Sequence, residues 1–342
     1  MIDFRYHIVS LISVFLALAV GILLGAGPLQ GSIGDQLTGQ VNSLRTEKDE
    51  LRVELDAARA DLAGSDAYVA ASAPAILAGA LTDRRVAVVQ LGPVDDEVYA
   101  GIEQQITAAG ATVSIRAQVA PSWTAEDQAD SRQSYAATLG DYLPDDADSN
   151  GFDATLARAL VETLTGSDAT NPDTFSSDAA LVREILTSSE LVEIIGDASA
   201  PADVIVIIDP DASTEEGDGE QSADDREAAT AIQQTLADAA QAGSEGAVVA
   251  ALSLREGDLV SSIRADESRA RSITTVTDVD RIVGQVNVPL ALAARVAGEV
   301  GQYGGDEEAT ALVPPAVTLP PVDRTPEVPP AADGTVQAPD AG

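Results

Sequence analysis

The chain has 342 residues and a formal net charge of −37 at pH 7, from 56 acidic and 19 basic residues. A field of that sign repels phosphate backbones, which argues against a nucleic-acid partner. Apolar residues form 45% of the chain and aromatic residues only 3%, so Ala, Val, Leu and Ile must build the core. The chain contains no Cys, and Met1 and His7 are its only Met and His.

An uncharged apolar run over residues 8–26, preceded by a short N-terminus at 1–7, predicts one transmembrane helix. Its ~19 residues at ~1.5 Å per residue span ~28 Å, close to the ~30 Å hydrocarbon core of a bilayer. Arg5 and the terminal amine favour a cytoplasmic N-terminus, which would place the rest of this single-pass protein outside the cytoplasm. The predicted anchor residues, in a helix surrounded by membrane lipid, are Ile8, Phe15, Gly21 and Ala26.

A cleaved signal peptide is the main alternative to an anchor. The small residues Gly25, Ala26 and Gly27 loosely resemble a cleavage site. The apolar run is longer than a typical signal core and leads almost directly into a helical stretch. These two features favour an uncleaved anchor in the cell membrane.

After a Gly-rich break at Gly25–Gly34, heptad spacing predicts a coiled coil over residues 35–63. We assign Leu37, Leu44 and Leu51 to position d, and the other core residues alternate with them in steps of four and three. The predicted oligomerisation residues are Leu37, Val41, Leu44, Lys48, Leu51, Leu55, Ala58 and Leu62. We expect Gly64 to end the helix and Pro74 to prevent its continuation. A single amphipathic helix packing on its own domain is the alternative to self-association.

Residues 70–305 predict an extracytoplasmic α/β domain with a doubly wound, mostly parallel sheet. Four short apolar runs predict buried strands: Val86–Leu91, Ala111–Ile115, Asp203–Ile208 and Ala247–Leu252. Helices are predicted at Asp95–Ala109 and Ala223–Ala242, and Trp123–Asp197 is expected to be a mostly helical insertion or cap.

The C-terminal third predicts a strand and turn at Ile273–Asp280, followed by a helix over Arg281–Val300 that Asp280 caps. Gly301–Gly305 is expected to end that helix. Residues 306–342 are rich in Pro and Asp without an apolar period, which predicts a disordered tail.

Ligands of such sheets bind at the carboxyl ends of the strands. The possible ligand loop therefore comprises Gln90, Gly92, Pro93 and Asp209. No Gly-x-Gly-x-x-Gly motif follows the first strand, and the acidic Asp95–Glu97 would repel a pyrophosphate, which argues against a nucleotide. The acidic loop Asp209–Asp225 could offer oxygen ligands to Ca²⁺, but it lacks EF-hand spacing, which favours a solvated loop.

Ser-His-Asp, Cys-His and metal-hydrolase sites need residues that the soluble part lacks. Pairs of carboxylates can perform acid–base chemistry, but acidic residues are so abundant here that their pairing is uninformative. We therefore expect no enzyme activity and no cofactor.

Three segments together suggest a family. The opening FRYHIVSLISVFLALAVGILLGAGPL, the heptad stretch, and the later ITTVTDVDRIVGQVNVPLALAARVAGEVGQYG resemble the mycobacterial copper-transport protein B family. The resemblance implies an actinobacterial cell-envelope protein linked to copper efflux or tolerance, with copper as the transported species and a possible part in a pore.

The residues fit direct copper binding poorly. Cu(I) favours thiolate and thioether ligands and Cu(II) favours imidazole. Only Met1 and His7 offer these groups, and His7, the one weak metal candidate, also suits an interfacial anchoring role. Two hypotheses follow: a transport-associated envelope protein of this family, or a structural scaffold that forms homo-oligomers through the coiled coil and recruits other envelope proteins.

Overall fold

The computed structural model describes residues 4–26, 28–143, 151–210 and 223–326. The chain divides into two compact units, Met1–Ser65 and Asp66–Gly342. The predicted acidic loop lies mostly outside the described residues.

The first unit begins with the apolar helix α1, Phe4–Ala26. Its window Phe4–Gly25 has a mean hydropathy of 2.7, and none of it is buried. By length and composition it is the one described helix that could cross a membrane. The predicted N-terminal apolar helix is confirmed.

The second helix, α2, extends over Pro28–Leu77, and the expected helix end at Gly64 is wrong. Pro28 is compatible with the first turn, where its missing N–H has no helical partner. An internal Gly costs only about 1 kcal/mol relative to Ala, which a 50-residue helix tolerates at Gly64. Pro74 was expected to prevent continuation, yet it lies within the last turn. Burial of Ala73 and Leu77, which are 1% and 0% exposed, favours helix on both sides of it.

The second unit is built on a seven-stranded sheet in the order β5-β2-β1-β6-β7-β8-β9. All neighbours pair in parallel except β5, which is antiparallel to β2. The strands are β1 Arg85–Gln90, β2 Thr112–Val119, β5 Val192–Ile194, β6 Val204–Asp209, β7 Gly246–Ala251, β8 Thr274–Val276 and β9 Gln302–Tyr303. The predicted α/β class with a mostly parallel sheet is confirmed, while the doubly wound arrangement stays a prediction.

Two apolar clusters lie on the opposite faces of this sheet. Ala87 and Val89 of β1 point into one cluster, and Val86 and Val88 into the other, because successive strand residues alternate between faces. The first cluster packs α4 Ala129–Leu139, α5 Phe152–Thr165, α6 Ser177–Ser188, α7 Ala223–Ala242 and α8 Leu259–Ala265. The second packs the end of α2, α3 Asp96–Ala108 and α10 Ile282–Val296. The short helix α9 spans Glu267–Ala270.

The described part of Trp123–Asp197 is mostly helical, and it also contains the hairpin β3 Ser167–Asp168 with β4 Asn171–Phe175 and the edge strand β5. Two predictions for the last helix need correction. Arg281 rather than Asp280 occupies the N-cap position of the last helix, and its side chain makes no capping hydrogen bond. The helix ends at Val296, not Val300, because the chain turns at Gly298 with a φ of +92° that favours glycine.

The tail prediction also differs from the structure. Residues 306–326 belong to the second unit, and Val317 and Leu319 pack on the second apolar cluster. Arg324 donates to the carbonyl of Asp83 at 2.8 Å and pairs with Asp203. Apolar side chains and an ion pair therefore hold a segment that composition alone assigned to disorder. Residues 327–342 lie outside the described part.

Candidate functional site at the carboxyl edge of the sheet

The carboxyl ends of the parallel strands meet at one edge of the sheet, as predicted for a ligand loop. Gln90 and Asp209 close β1 and β6 there, and Gln90 is aligned with Ile208 in the register. Both are buried, with Gln90 0% and Asp209 9% exposed. Gly92 is buried and Pro93 is exposed. The structure thus brings the four predicted loop residues to the same edge, although no described observation assigns a ligand to them.

The side-chain oxygen of Gln90 accepts a hydrogen bond from an arginine of the neighbouring strand, while its Nε2 is buried without a partner among the described residues. Nε of Arg116 on β2 donates to Oε1 of Gln90 at 3.3 Å, and its guanidinium lies 3.7 Å from the centroid of the Tyr99 ring. The Nη2 atom of Arg116 is 3.8 Å from Asp96. Burial, followed by the charge of Glu103, raises the pKa of Tyr99 to about 12. Arg116 thus contacts Gln90, Tyr99 and Asp96 with its one guanidinium group.

An acidic cleft of ≈510 Å³ opens beside α3 at this edge. Asp95, Glu97 and Asp280 supply its carboxylates, and Gln104 and Gln285 supply amides. Asp95 also caps α3 by accepting from the N–H of Glu97 at 2.8 Å. The concentration of negative charge is unsuited to phosphate groups, which agrees with the absence of a nucleotide motif.

Sequence reasoning missed a buried polar network at the end of β8 and β9. Arg264, whose side chain is 3% exposed, donates from Nη1 to Asp306 at 2.6 Å and from Nε to Oγ1 of Thr275 at 2.9 Å. Its Nη2 donates to the carbonyl of Tyr303 at 3.2 Å. One guanidinium therefore joins α8, two adjacent strands and the loop after β9.

Two carboxylates complete this network. Oδ2 of Asp306 accepts from Oγ1 of Thr277 at 2.8 Å, and Oδ2 of Asp278 accepts from the N–H of Gly305 at 3.1 Å. Burial raises the pKa of Asp306, but hydrogen bonds from Arg264 and Thr277 outweigh it, so the net pKa lies below the ordinary value. These hydrogen bonds link the loop after β8 to the loop after β9. The signal for them was the polar TTVTD run at buried positions, followed by GQYGGD.

The predicted anchor residues and the predicted coiled coil over residues 35–63, called the stalk below, lie in the first unit. Ile8 and Phe15 are 48% and 64% exposed, and Gly21 has open space around it. Ala26 is the last residue of α1. The large apolar stalk residues are all exposed, by 44–63%: Leu37, Val41, Leu44, Leu51, Leu55 and Leu62. Lys48 and Ala58 are exposed as well. These eight residues form a stripe along α2 that no other part of the described chain covers.

Comparison with known proteins identifies the family. The family described as "Copper transport outer membrane protein, MctB" matches residues 1–314. These include the anchor, the stalk and most of the second unit, residues 66–342, called the folded unit below. The chain belongs to the MctB family. The proteins named "Copper transporter MctB" from Mycobacterium bovis and Mycobacterium tuberculosis are each 28% identical over 316 residues. Those alignments cover 89% of this chain and 96% of each relative. The predicted family is confirmed.

The described residues of this MctB-family chain contain no group of three or more His, Cys, Asp or Glu side chains that could hold a metal ion. His7 lies exposed in α1, and Met1 is outside the described residues. Since Cu(I) and Cu(II) prefer sulfur and imidazole, and residues 66–342 contain neither Cys, Met nor His, the folded unit is poorly suited to hold copper.

Proposed function

We propose that this chain is a membrane-anchored, self-associating cell-envelope protein that contributes to copper efflux or tolerance without copper ligands in its folded unit. The N-terminus lies in the cytoplasm and the second unit outside it. The observation that carries the proposal is the family match over residues 1–314, because it includes α1, the stalk and the folded unit together.

The chemistry of the chain limits how it can act on copper. Sulfur and imidazole ligands are lacking beyond residue 7, so the folded unit contributes through partner proteins or through an oxygen-lined path. If a pore is involved, assembly of several chains must supply it, because one apolar helix encloses no channel. The unit is not an enzyme in this proposal, and it carries no cofactor.

A non-catalytic scaffold is the second candidate. The exposed apolar stripe of the stalk and the net charge of −37 favour it, since the stripe fits a coiled coil and the charge fits recruitment of basic partners. In that case α1 fixes the location, the stalk sets the spacing and the folded unit binds other envelope proteins.

A deletion strain separates the two candidates. We expect the strain to accumulate copper and to become copper-sensitive, and expression of the wild-type chain to restore both properties. Complementation with His7→Ala should succeed equally well, with Tyr6→Ala as the matched change at the same end of α1. Unchanged copper content and unchanged sensitivity after deletion would remove the copper role and leave the scaffold.

A further inference from the structure

Two rows of opposite charge flank the apolar stripe of α2. With Leu44 and Leu51 at position d, the residues that follow d are basic and those that precede a are acidic. The e positions are Thr38, Arg45, Arg52 and Arg59, and the g positions are Gln40, Glu47, Glu54 and Asp61. All of these residues are exposed. Over three consecutive heptads the stripe is thus basic on one side and acidic on the other.

This arrangement is self-complementary in only one orientation. When two such helices lie parallel and in register, each g residue faces the e residue five positions further along the other helix. Glu47 then faces Arg52 of a second copy, and Glu54 faces Arg59 of a second copy. An antiparallel pair would place g against g and e against e, which sets carboxylate against carboxylate and guanidinium against guanidinium. The charges therefore favour the parallel pair and oppose the antiparallel one.

Contacts within the helix leave these charges available to a second copy. Arg52 and Arg59 each approach an aspartate three residues earlier, Asp49 and Asp56, at 4.0 Å. The two arginine side chains are 64% and 70% exposed, and ion pairs of that exposure contribute little. Either guanidinium can therefore turn toward another helix without losing a strong partner.

The core of the stripe indicates the number of chains. A β-branched residue at a with Leu at d favours two strands, and Val41 between Leu37 and Leu44 fits this pattern, while Leu55 and Leu62 occupy the later a positions. Lys48 occupies an a position, where a polar side chain specifies register at some cost in stability. In an in-register dimer the two Lys48 side chains would lie opposite each other and could extend to solvent.

We propose that α2 forms a parallel, in-register homodimer in which rows of glutamate and arginine pair between chains and Lys48 fixes the register. This inference rests on the proposed self-association and specifies its partner, a second copy of this chain. Both N-termini then point the same way, so both α1 helices can enter one membrane.

Disulfide trapping tests the orientation, and the cysteine-free chain gives no background. Full-length Leu51→Cys, at a d position, is compared in native membranes with Val53→Cys, at an f position that is 71% exposed. Under mild oxidation, Leu51→Cys should form a linked dimer quickly, because facing d positions bring the sulfurs within bonding reach. Sedimentation of the wild-type chain in detergent should give the mass of two chains. Equal rates for the two variants, no linked dimer, or a larger assembly would overturn the proposal.

Charge exchange tests the pairing. Glu47→Arg with Glu54→Arg makes both rows basic between residues 45 and 59, and Arg52→Glu with Arg59→Glu makes both acidic between residues 47 and 61. Each variant alone should therefore dimerise at least about tenfold more weakly. Mixing the two should restore dimers. The matched control, Glu50→Arg with Asp56→Arg, changes the charge equally at outward positions and should dimerise normally. Weakening by the control to the same extent, or no recovery on mixing, would contradict the pairing.

The two proposals fail separately. If position 53 is trapped as fast as position 51, but the wild-type chain restores copper resistance to the deletion strain, the parallel dimer is removed and the copper role remains. Trapping at position 51 in a chain whose deletion leaves copper content unchanged would remove the copper role and leave the dimer.

Discussion

Arg264 and Asp306 form a buried ion pair that closes the carboxyl edge of the sheet, with Nη1 and Oδ1 2.6 Å apart. The pair joins α8 to the loop after β9, across 42 residues of sequence. Their side chains are 3% and 18% exposed, so neither charge has much access to water. Thr275 and Thr277 satisfy further atoms of the two groups, which makes the pair part of a network rather than an isolated contact.

Removing one member of this pair should destabilise the folded unit strongly. We expect Asp306→Ala to lower the free energy of unfolding by about 3 kcal/mol, because it leaves a buried guanidinium unpaired. The control is Glu267→Ala, which removes an exposed partner of Arg271 and should cost less than about 0.5 kcal/mol. Urea denaturation of both variants measures the difference. Similar losses of unfolding free energy in the two variants would show that the buried pair stabilises the unit no more than an exposed one does.

The contribution of Asp306 should depend on pH in a defined direction. Burial raises its pKa, but the hydrogen bonds from Arg264 and Thr277 bring the pKa below the ordinary 3.8. A lowered folded pKa gives stability that is complete above pH 3.8 and is lost as pH falls through the folded pKa. The stability gap between wild type and Asp306→Asn should therefore be constant from pH 7 to about 5 and narrow below about pH 4. A gap that widens in acid would contradict the assignment.

The sequence predicted the apolar elements well and the polar ones poorly. The run Val86–Leu91 became β1 within one residue at each end, and Ala223–Ala242 became α7, because continuous apolar runs and Ala-rich periodicity reflect local physics. Gly64 did not end α2, since a long helix with a buried end outweighs one glycine. Leu319 was assigned to disorder because its packing partners are distant in sequence.

The candidate site shows the same limit. The parallel direction of the strands was enough to predict that Gln90 and Asp209 lie at one edge of the sheet. The partner of Gln90 is Arg116, which lies on another strand. Nothing in the sequence distinguishes this arginine from the others in the chain. The Arg264–Asp306 pair has the same cause, because a contact across 42 residues leaves no periodic signal.

Gly284 should tolerate no side chain. A Cβ there would lie 2.2 Å from the carbonyl oxygen of Asp278 and 2.6 Å from that of Thr277, and backbone atoms cannot easily move away. We expect Gly284→Ala to destabilise the folded unit by about 2 kcal/mol. Gly64→Ala is the matched control, because open space surrounds Gly64 within α2 and the change should favour helix by up to about 1 kcal/mol. Thermal unfolding should separate the two by sign; destabilisation by both would indicate that the clash is not the cause.

The C-terminal segment should contribute to stability through its apolar contacts. Leu319 packs on the second apolar cluster, whereas Leu312 is 58% exposed. We expect Leu319→Ala to cost about 1–2 kcal/mol and Leu312→Ala less than about 0.5 kcal/mol. Urea denaturation of the full chain provides both values. Equal small effects would mean that the segment follows the surface without stabilising it.

Copper binding by the full chain should be weak and independent of His7. Residues 66–342 lack every sulfur and imidazole ligand, and the described carboxylates form no metal cluster. In a competition titration against a Cu(I) chelator, the detergent-solubilised chain should therefore hold well under one equivalent, and His7→Ala should behave like wild type and like Tyr6→Ala. Tight binding of one Cu(I) that disappears only in His7→Ala would assign a ligand to the anchor. Tight binding that all three chains share would point instead to the Met1 thioether or to oxygen ligands, and would contradict a purely indirect role.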